Sequence, residues 1–410
     1  MRVLPCELRY PLGALALLLP TVGAAQAEPV DEKSPVEFYV ADKITYDDNL
    51  FRVPASLLRT DPAAVTVKSV SDVLNRASVG VHARWDASRQ VFLINLRLDN
   101  VNYKNNTDLD YFGGSADLTW NWQAGKRWSG LFTGQFDRAQ ASYANYQFFG
   151  KDVVGTANYG AEIRFAVGSR WSLLAAGAET RTNHSAVERQ IEEFHSQTGR
   201  AGLEYKTSSE NLFAAEYRFT DAKFPNVDPL LNTFAHKYSE RVPTLRMHYG
   251  FTVQTKLDAR YGYLKRTYDD PTATDFAGGI WDATLRWETT EKLAFDVNIW
   301  HDLRAYADSE SEYFVAEGVS VGPTWSPRTR FVFSLLGMYE DQRYVNAGVL
   351  IIGPLPQRKA HVGSGQLAMD YWPTRALSFR AQYSYLAYSS SRALEDYNDN
   401  IISLQIRFSF

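Results

Sequence analysis

The sequence predicts an all-β chain folded as one closed antiparallel barrel, and three observations carry that prediction. The first is composition. Of 410 residues 14% are aromatic, yet only 45% are hydrophobic, 22% are charged and the mean hydropathy is -0.32. Disordered chains are poor in aromatics, so disorder is excluded. A net charge of -4 argues against a nucleic-acid partner, which calls for a basic surface. No run of 18 apolar residues exists beyond the N-terminus, so no transmembrane helix is available.

The second observation is a repeat of tight turns. Aromatics followed by a short polar turn and a new alternating run recur at Trp85, Trp122, Phe165, Tyr205, Tyr249, Trp287, Trp325 and Trp372. Successive intervals are 37, 43, 40, 44, 38, 38 and 47 residues. A propeller blade and a membrane hairpin both have a period near that length, as four short strands or two long ones.

The third observation decides between them. In 293–304 the apolar set Leu293, Phe295, Val297 and Ile299 alternates with Asp296, Asn298, Asp302 and Arg304. In 377–387 Leu377, Phe379, Ala381, Tyr383 and Tyr385 alternate with Ser378, Arg380, Gln382 and Ser384. Strict alternation over about 10 residues is the length a tilted strand needs to cross a bilayer. The other ends of the hairpins are longer and more polar, as in VNYKNNTDLDYF and KFPNVDPLLNTFAHK. Short turns on one side and long loops on the other define the class: a transmembrane antiparallel β-barrel of the outer-membrane type.

Taking the elements in order, residues 1–27 read as a secretory signal. Arg2 and Arg9 precede a short apolar core (12–19), and Ala25-Gln26-Ala27 is a small-x-small cleavage pattern. Cleavage there removes Cys6, the one cysteine, and shifts the charge by one unit. A secreted chain without cysteine is held by a large hydrogen-bonded sheet or a large core, not by disulfides. The mature part, 28–410, reads as a single barrel. Strands are expected at 36–47, 75–85, 90–103, 111–123, 127–141, 153–167, 170–184, 191–205 and 212–223. The series continues at 236–249, 254–268, 275–287, 292–306, 312–325, 329–343, 359–371, 376–390 and 397–410. That is about 18 strands, and 16 fits within the boundary error. Gly113-Gly114 and Gly278-Gly279 read as bulges or bends in the wall. The last strand alternates Ile402, Leu404, Ile406, Phe408 and Phe410 with polar residues and stops on the aromatic. Phe408 and Phe410 therefore read as an assembly signal for the barrel-insertion machinery. Residues 50–73, with Pro54 and Pro62, are too long for a tight connection. They form either an outer loop or a loop folded into the lumen as a constriction.

If the apolar set of each strand faces lipid, the other set faces the lumen. That set includes Arg84, Arg97, Asp99, Asp117, Gln135 and Asp137 on the early strands. Glu162, Arg164, Glu216, Arg218, Arg246, Asp258 and Arg260 continue it, followed by Asp282, Arg286, Asp296, Arg380, Gln382 and Arg407. Mixed signs suit mutual pairing across strands or a hydrogen-bonding track for a hydroxyl-rich polymer. Catalysis has little support, because no GxSxG elbow, HExxH helix or cysteine-based metal motif is present. His184-Ser185 is a neighbour pair of the kind barrel enzymes use, and seven histidines make it unremarkable. No cofactor and no metal are expected. Carboxylate pairs such as Asp47-Asp48 read as solvated loop charges or cation contacts to lipopolysaccharide.

One segment adds a resemblance. Ile44-Thr45-Tyr46-Asp47-Asp48-Asn49-Leu50-Phe51-Arg52 resembles the opening strand of barrel proteins of exopolysaccharide biosynthesis, the EpsL family of methanolan-type, exosortase-associated systems. The stretch from Ser71-Asp72 through Arg89-Gln90 to Leu109-Asp110-Tyr111 resembles that family's next hairpin. With the C-terminal strand, the resemblance covers essentially the whole mature chain. It implies a bacterial outer-membrane protein that exports exopolysaccharide, with lipid, lipopolysaccharide, the polymer and periplasmic export components as partners. A general diffusion porin is the alternative, and a barrel enzyme or a structural receptor of the export machinery is a third reading.

Overall fold

The computed structural model of the chain describes residues 35–60, 65–145, 148–227, 235–271, 273–308, 311–346, 357–392 and 394–410. The expected signal segment, 1–27, lies outside the described residues. The strands are β1 (Val36–Asp47), β2 (Asp72–Ala87), β3 (Gln90–Tyr103), β4 (Tyr111–Ala124), β5 (Trp128–Gln140) and β6 (Val153–Ala166). Then follow β7 (Trp171–Asn183), β8 (Phe194–Lys206), β9 (Leu212–Lys223), β10 (Lys237–Gly250), β11 (Thr255–Tyr268) and β12 (Phe276–Thr290). The last are β13 (Leu293–Asp308), β14 (Ser311–Arg328), β15 (Phe331–Asn346), β16 (Lys359–Tyr371), β17 (Leu377–Ser390) and β18 (Tyr397–Ser409). All 18 form one antiparallel sheet, and β1 pairs with β18 to close it. The expected strand count and order agree with this barrel.

Closure follows from the solvent. Hydrocarbon offers no partner for a backbone N–H or C=O, so a membrane sheet cannot leave an edge. The seam pairs Tyr39 through Asp47 with Ser409 through Ile401. Phe410 completes it, exchanging Phe410 N–H to Phe38 O at 2.8 Å and Phe38 N–H to Phe410 O at 3.0 Å.

The two-residue period sorts the side chains by face. On β3, Leu96 and Leu98 point outward at 45% and 69% exposure, whereas Asp99, Val101 and Tyr103 on the opposite face are buried. At the short-turn end, aromatic rings on neighbouring strands form a girdle: Phe92 lies 5.3 Å from Trp85 and 5.5 Å from Trp120, and Trp171 lies 4.7 Å from Tyr205. Such rings suit the headgroup level, where one edge is wet and the other apolar. The turns are tight: Ser88 between β2 and β3 takes φ 59, and Gly125 between β4 and β5 takes φ 63.

Two expectations change. The ladders of β4 run through Gly113 and Gly114 without a register shift, so these glycines make no bulge. They are needed for close approach, because a Cβ on Gly114 would sit 2.2 Å from the Arg97 carbonyl oxygen. The bulges lie elsewhere, for instance in β12 between Glu288 and Thr290. The inner face is also less polar than alternation suggests. At the long-loop end Tyr238, Val242, Leu264, Tyr268 and Ile280 form one buried inward cluster, into which Phe224 and Val227 of the β9–β10 loop pack. A second contains Met338, Tyr344, Val362, Leu386 and Tyr388. A loop that folds inward needs an apolar floor, and the first cluster supplies it for the β9–β10 loop.

The seam generates a prediction. Phe408 and Phe410 are outward, at 48% and 68% exposure, beside Val40 and Phe38. Changing both to Lys places charge on the lipid face near the interface, at about 0–1 kcal/mol each. That is too little to unfold the barrel, so the expected loss of the heat-resistant outer-membrane form would report failed insertion. Normal levels of that form would contradict the assembly-signal reading.

Candidate functional site at the loop end of the lumen

The segment that opens the chain, Asp47-Asp48-Asn49-Leu50-Phe51-Arg52, is a clasp on the seam. Asp48 accepts from the Asn400 N–H and the Asn400 side-chain amide, both at 2.7 Å. Asn49 donates to the carbonyl oxygens of Asn398 at 2.9 Å and Val53 at 3.1 Å, and accepts from the Val53 N–H at 2.8 Å. Arg52, in the left-handed region at φ 57, reaches Asp47 at 3.1 Å and Asp399 at 2.9 Å. Burial works against the charge of Arg52, but Asp47 and Asp399 outweigh it and hold the guanidinium pKa above its ordinary value. Among the described residues Asp47, Asp48 and Asp399 are close enough to share a cation, and Arg52 already occupies two of them.

Beyond the clasp the chain turns onto the barrel's inner face. Leu50, Phe51 and Val53 are buried against Val101, Tyr103, Leu109 and Tyr111, and Leu57, Val65, Val67 and Val70 join them. Phe51 meets Tyr143 at 4.8 Å and Phe149 at 5.9 Å, both from the β5–β6 connection. That connection also spans to the seam, where the Tyr397 hydroxyl donates to the Ala144 carbonyl oxygen at 3.3 Å. The far end of the segment is tied down by Asp72, 1% exposed. It accepts from the Asn105 N–H at 3.0 Å and from the Asn106 N–H and side-chain amide at 2.8 Å. A helix of one and a half turns (Ala55–Thr60) lies between the two anchors.

The predicted lumen residues lie on the strand face opposite the lipid-facing side chains, and most are paired. Glu162, Arg164, Arg200, Glu204, Glu216 and Arg246 form a neutral ring of alternating sign. Arg164 reaches Glu204 at 2.9 Å, Arg200 reaches Glu216 at 2.9 Å and touches Glu162, and Arg246 bridges Glu204 and Glu216 at 2.9 Å. Arg200 crosses β7 to Glu162 because Ala176, opposite both in register, is too small to block it. Arg218 stands 3.8 Å from Glu240, Arg260 pairs with Asp282 at 2.5 Å, and Arg97 with Asp99 at 3.0 Å. Arg286 lies 3.4 Å from Asp296, Arg380 lies 3.6 Å from Asp370, and Arg407 pairs with Glu37 at 3.1 Å. Nearer the turns, Arg84 and Asp258 are exposed and paired with Asp86 and His248, at 3.1 and 2.7 Å. Among the described residues Asp117 and Asp137 are not drawn into such a pair, and Gln135 is exposed beside them. The partners Arg200, Glu204, Glu240 and Arg266 escaped the sequence reading, although their inward parity would have found them. Arg266, 3% exposed, is held by Glu240 at 2.5 Å and by the Tyr238 ring at 4.1 Å.

His184 and Ser185 form a brace, not a nucleophile pair. The His184 ring meets Asp152 at 2.7 Å, the Ser185 and Ala186 N–H groups donate to the same carboxylate at 3.0 and 3.1 Å, and the Ser185 hydroxyl accepts from the Val153 N–H at 2.7 Å. Burial raises the cost of ionising Asp152, but the His184 and Ala186 hydrogen bonds and the Arg189 charge prevail and lower its pKa.

With this geometry in view, comparison with known proteins adds the following. Residues 246–410 match the family model described as "Putative beta-barrel porin 2". No curated protein matches the sequence. Solved structures similar in fold include Pseudomonas aeruginosa OccK2 (OpdF) in complex with glucuronate, at 9% identity, covering 92% of this chain and 99% of that one with a TM-score of 0.47. A BenF-like porin from Pseudomonas fluorescens Pf-5 is similar at 9% identity, with 92% and 99% covered and a TM-score of 0.49. The siderophore receptor PirA from Pseudomonas aeruginosa is similar at 12% identity, with 91% and 80% covered and a TM-score of 0.42. The C-terminal part of the chain is thus similar to a family described as β-barrel porins, and the chain's own 18 strands form a closed antiparallel barrel.

The clasp and the brace each generate a prediction. Arg52→Ala leaves Asp47 and Asp399 buried without their cation, at a cost of about 3–5 kcal/mol. The expected result is a lower temperature for loss of the heat-resistant form, partly restored by adding Asp399→Asn; an unchanged transition would contradict the clasp. The lowered pKa of Asp152 makes its stabilisation present above the ordinary carboxylate range and lost as pH falls through the lowered value. Asp152→Asn removes that dependence, so proteolysis of the 184–193 connection should rise at neutral pH and vary less with acid than in the native chain.

Proposed function

We propose that this protein is a non-enzymatic channel of the bacterial outer membrane, passing small hydrophilic solutes through a lumen narrowed by the first loop, whose described residues are 50–60 and 65–73. The observation that supports this most is the double anchoring of that segment. The Arg52 clasp fixes one end and Asp72 the other, while Phe51 and Val53, each 2% exposed, seat it on the inner face. A loop so held is a standing constriction. The paired wall beneath it is wet and close to neutral, which suits passage without tight binding.

The narrower reading is passage of exopolysaccharide. It is supported by the resemblance of residues 44–52 to the EpsL family; the structure gives those same residues a second reason to exist, the closing of the seam. A polymer needs the constriction to be wide enough for an extended chain, so loss of the gene should leave polymer in the periplasm. Unchanged surface polysaccharide would remove this reading and leave the channel.

The channel is tested by deleting 54–71 and measuring conductance in planar bilayers. Backbone closure holds the wall independently of the loop. The deletion variant should therefore fold and conduct more, and cells carrying it should become more sensitive to large antibiotics. A folded variant with unchanged conductance would place the constriction elsewhere.

A further inference from the structure

The inward arginines described above rest on carboxylates; a Lys–Arg pair on β1 and β2 does not. Lys43 of β1 and Arg76 of β2 stand directly opposite each other in register, on the inner face shared by Thr45 and Ser78. The same rung continues through Gln405 of β18, opposite Lys43, to Arg380 of β17, opposite Gln405. Among the described residues neither Lys43 nor Arg76 has a carboxylate within 4.0 Å, and the Nε of Arg76 is buried without a hydrogen-bond partner. Like charges directly opposite in a sheet repel each other. The nearby acids are engaged: Asp370 faces Arg380 at 3.6 Å, and Asp99 holds Arg97 at 3.0 Å and the Ser78 hydroxyl at 2.6 Å. The other acids facing this region, Asp117 of β4 and Asp137 of β5, lie on the far side of Arg97 and form no ion pair with it.

We infer that Lys43 and Arg76 form an anion-binding station in the lumen for a small solute bearing one carboxylate, immediately below the anchored first loop. This deepens the channel reading by naming a solute class. A carboxylate between the two cations relieves their repulsion and satisfies the free guanidinium Nε. Half-burial of both residues keeps water from screening the contact fully while leaving it reachable. The acids of β4 and β5 set the charge limit, because a doubly charged anion held by Lys43 and Arg76 is repelled by Asp117 and Asp137. Their carboxylates are also placed to accept hydroxyl groups, so a hydroxylated monocarboxylate fits the two walls together.

The test uses the full folded barrel and gluconate as probe, with glucose, chloride and phosphate as comparisons. Binding is read by calorimetry, which does not require conduction, and block of ion current is read in bilayers. Lys43→Gln with Arg76→Gln should weaken gluconate binding and block by about tenfold or more, corresponding to about 1.4 kcal/mol. Lys43→Arg should retain both. The exposed turn pair Lys126→Gln with Arg127→Gln removes equal charge and should leave binding unchanged. A wild-type barrel that binds no gluconate, equal affinity in the Lys43/Arg76 variant, or preference for phosphate would each overturn the inference. Gluconate binding that depends on Lys43 and Arg76 in a barrel that never conducts would instead uphold the station and refute the channel.

Discussion

The structure depends on one constraint: a sheet in hydrocarbon can leave no backbone group without a partner. Every strand must therefore be paired on both sides, and the ends of the chain must find each other. The join between β1 and β18 is the one place where closure brings together residues far apart in sequence, so it is also where failure would open an edge. The chain reinforces that join at both rims. Phe38 and Phe410 finish the ladder at the short-turn side, and Asp48, Asn49 and Arg52 lock the loop side onto Asn398, Asp399 and Asn400. The same residues that lock the seam steer the following segment inward. Closure of the seam and the inward course of the first loop are thus one piece of local structure.

The wall obeys a second rule, that a buried charge needs a partner. Glutamates 3–9% exposed survive on β6, β8 and β9 because each meets two guanidinium groups. Arginine suits this role, since its planar fork can serve two carboxylates at once. Ala176 on β7 and Ala214 on β9 let those forks reach across an intervening strand. Most of the inward charges described are paired in this way; Lys43 and Arg76 on β1 and β2 are not, and the proposed anion station rests on that difference.

Much of this was legible in the sequence, for a physical reason. Side chains alternate with a period of two, turns need polar residues, and membrane crossing fixes a strand length, so composition along the chain reports the barrel directly. Strand ends at 90–103, 212–223 and 359–371 emerge unchanged in the structure. What was not legible concerns the inside of the loop end. Val242 and Leu264 sit on the face assigned to the lumen, yet they are buried in an apolar cluster with Phe224 and Val227 of the β9–β10 loop, and Val362 is buried in a second cluster of strand residues. Alternation cannot show this, because it describes one strand at a time and the covering loop comes from elsewhere. Lys43 and Arg76 were missed for a related reason: their meaning lies in the absence of partners, which only the assembled register reveals. The Asp-Asp-Asn opening was readable as a motif, whereas its work on Asn398 to Asn400 spans the whole chain.

The proposed channel combines a closed wall of mostly paired charges, an anchored first loop and a narrow solvent path. Liposome swelling with neutral sugars of increasing size tests it most directly, since swelling responds to the narrowest point and is indifferent to charge. The account predicts rapid entry of monosaccharides and a steep fall toward oligosaccharides. No swelling with any sugar, or equal rates across the size series, would contradict it.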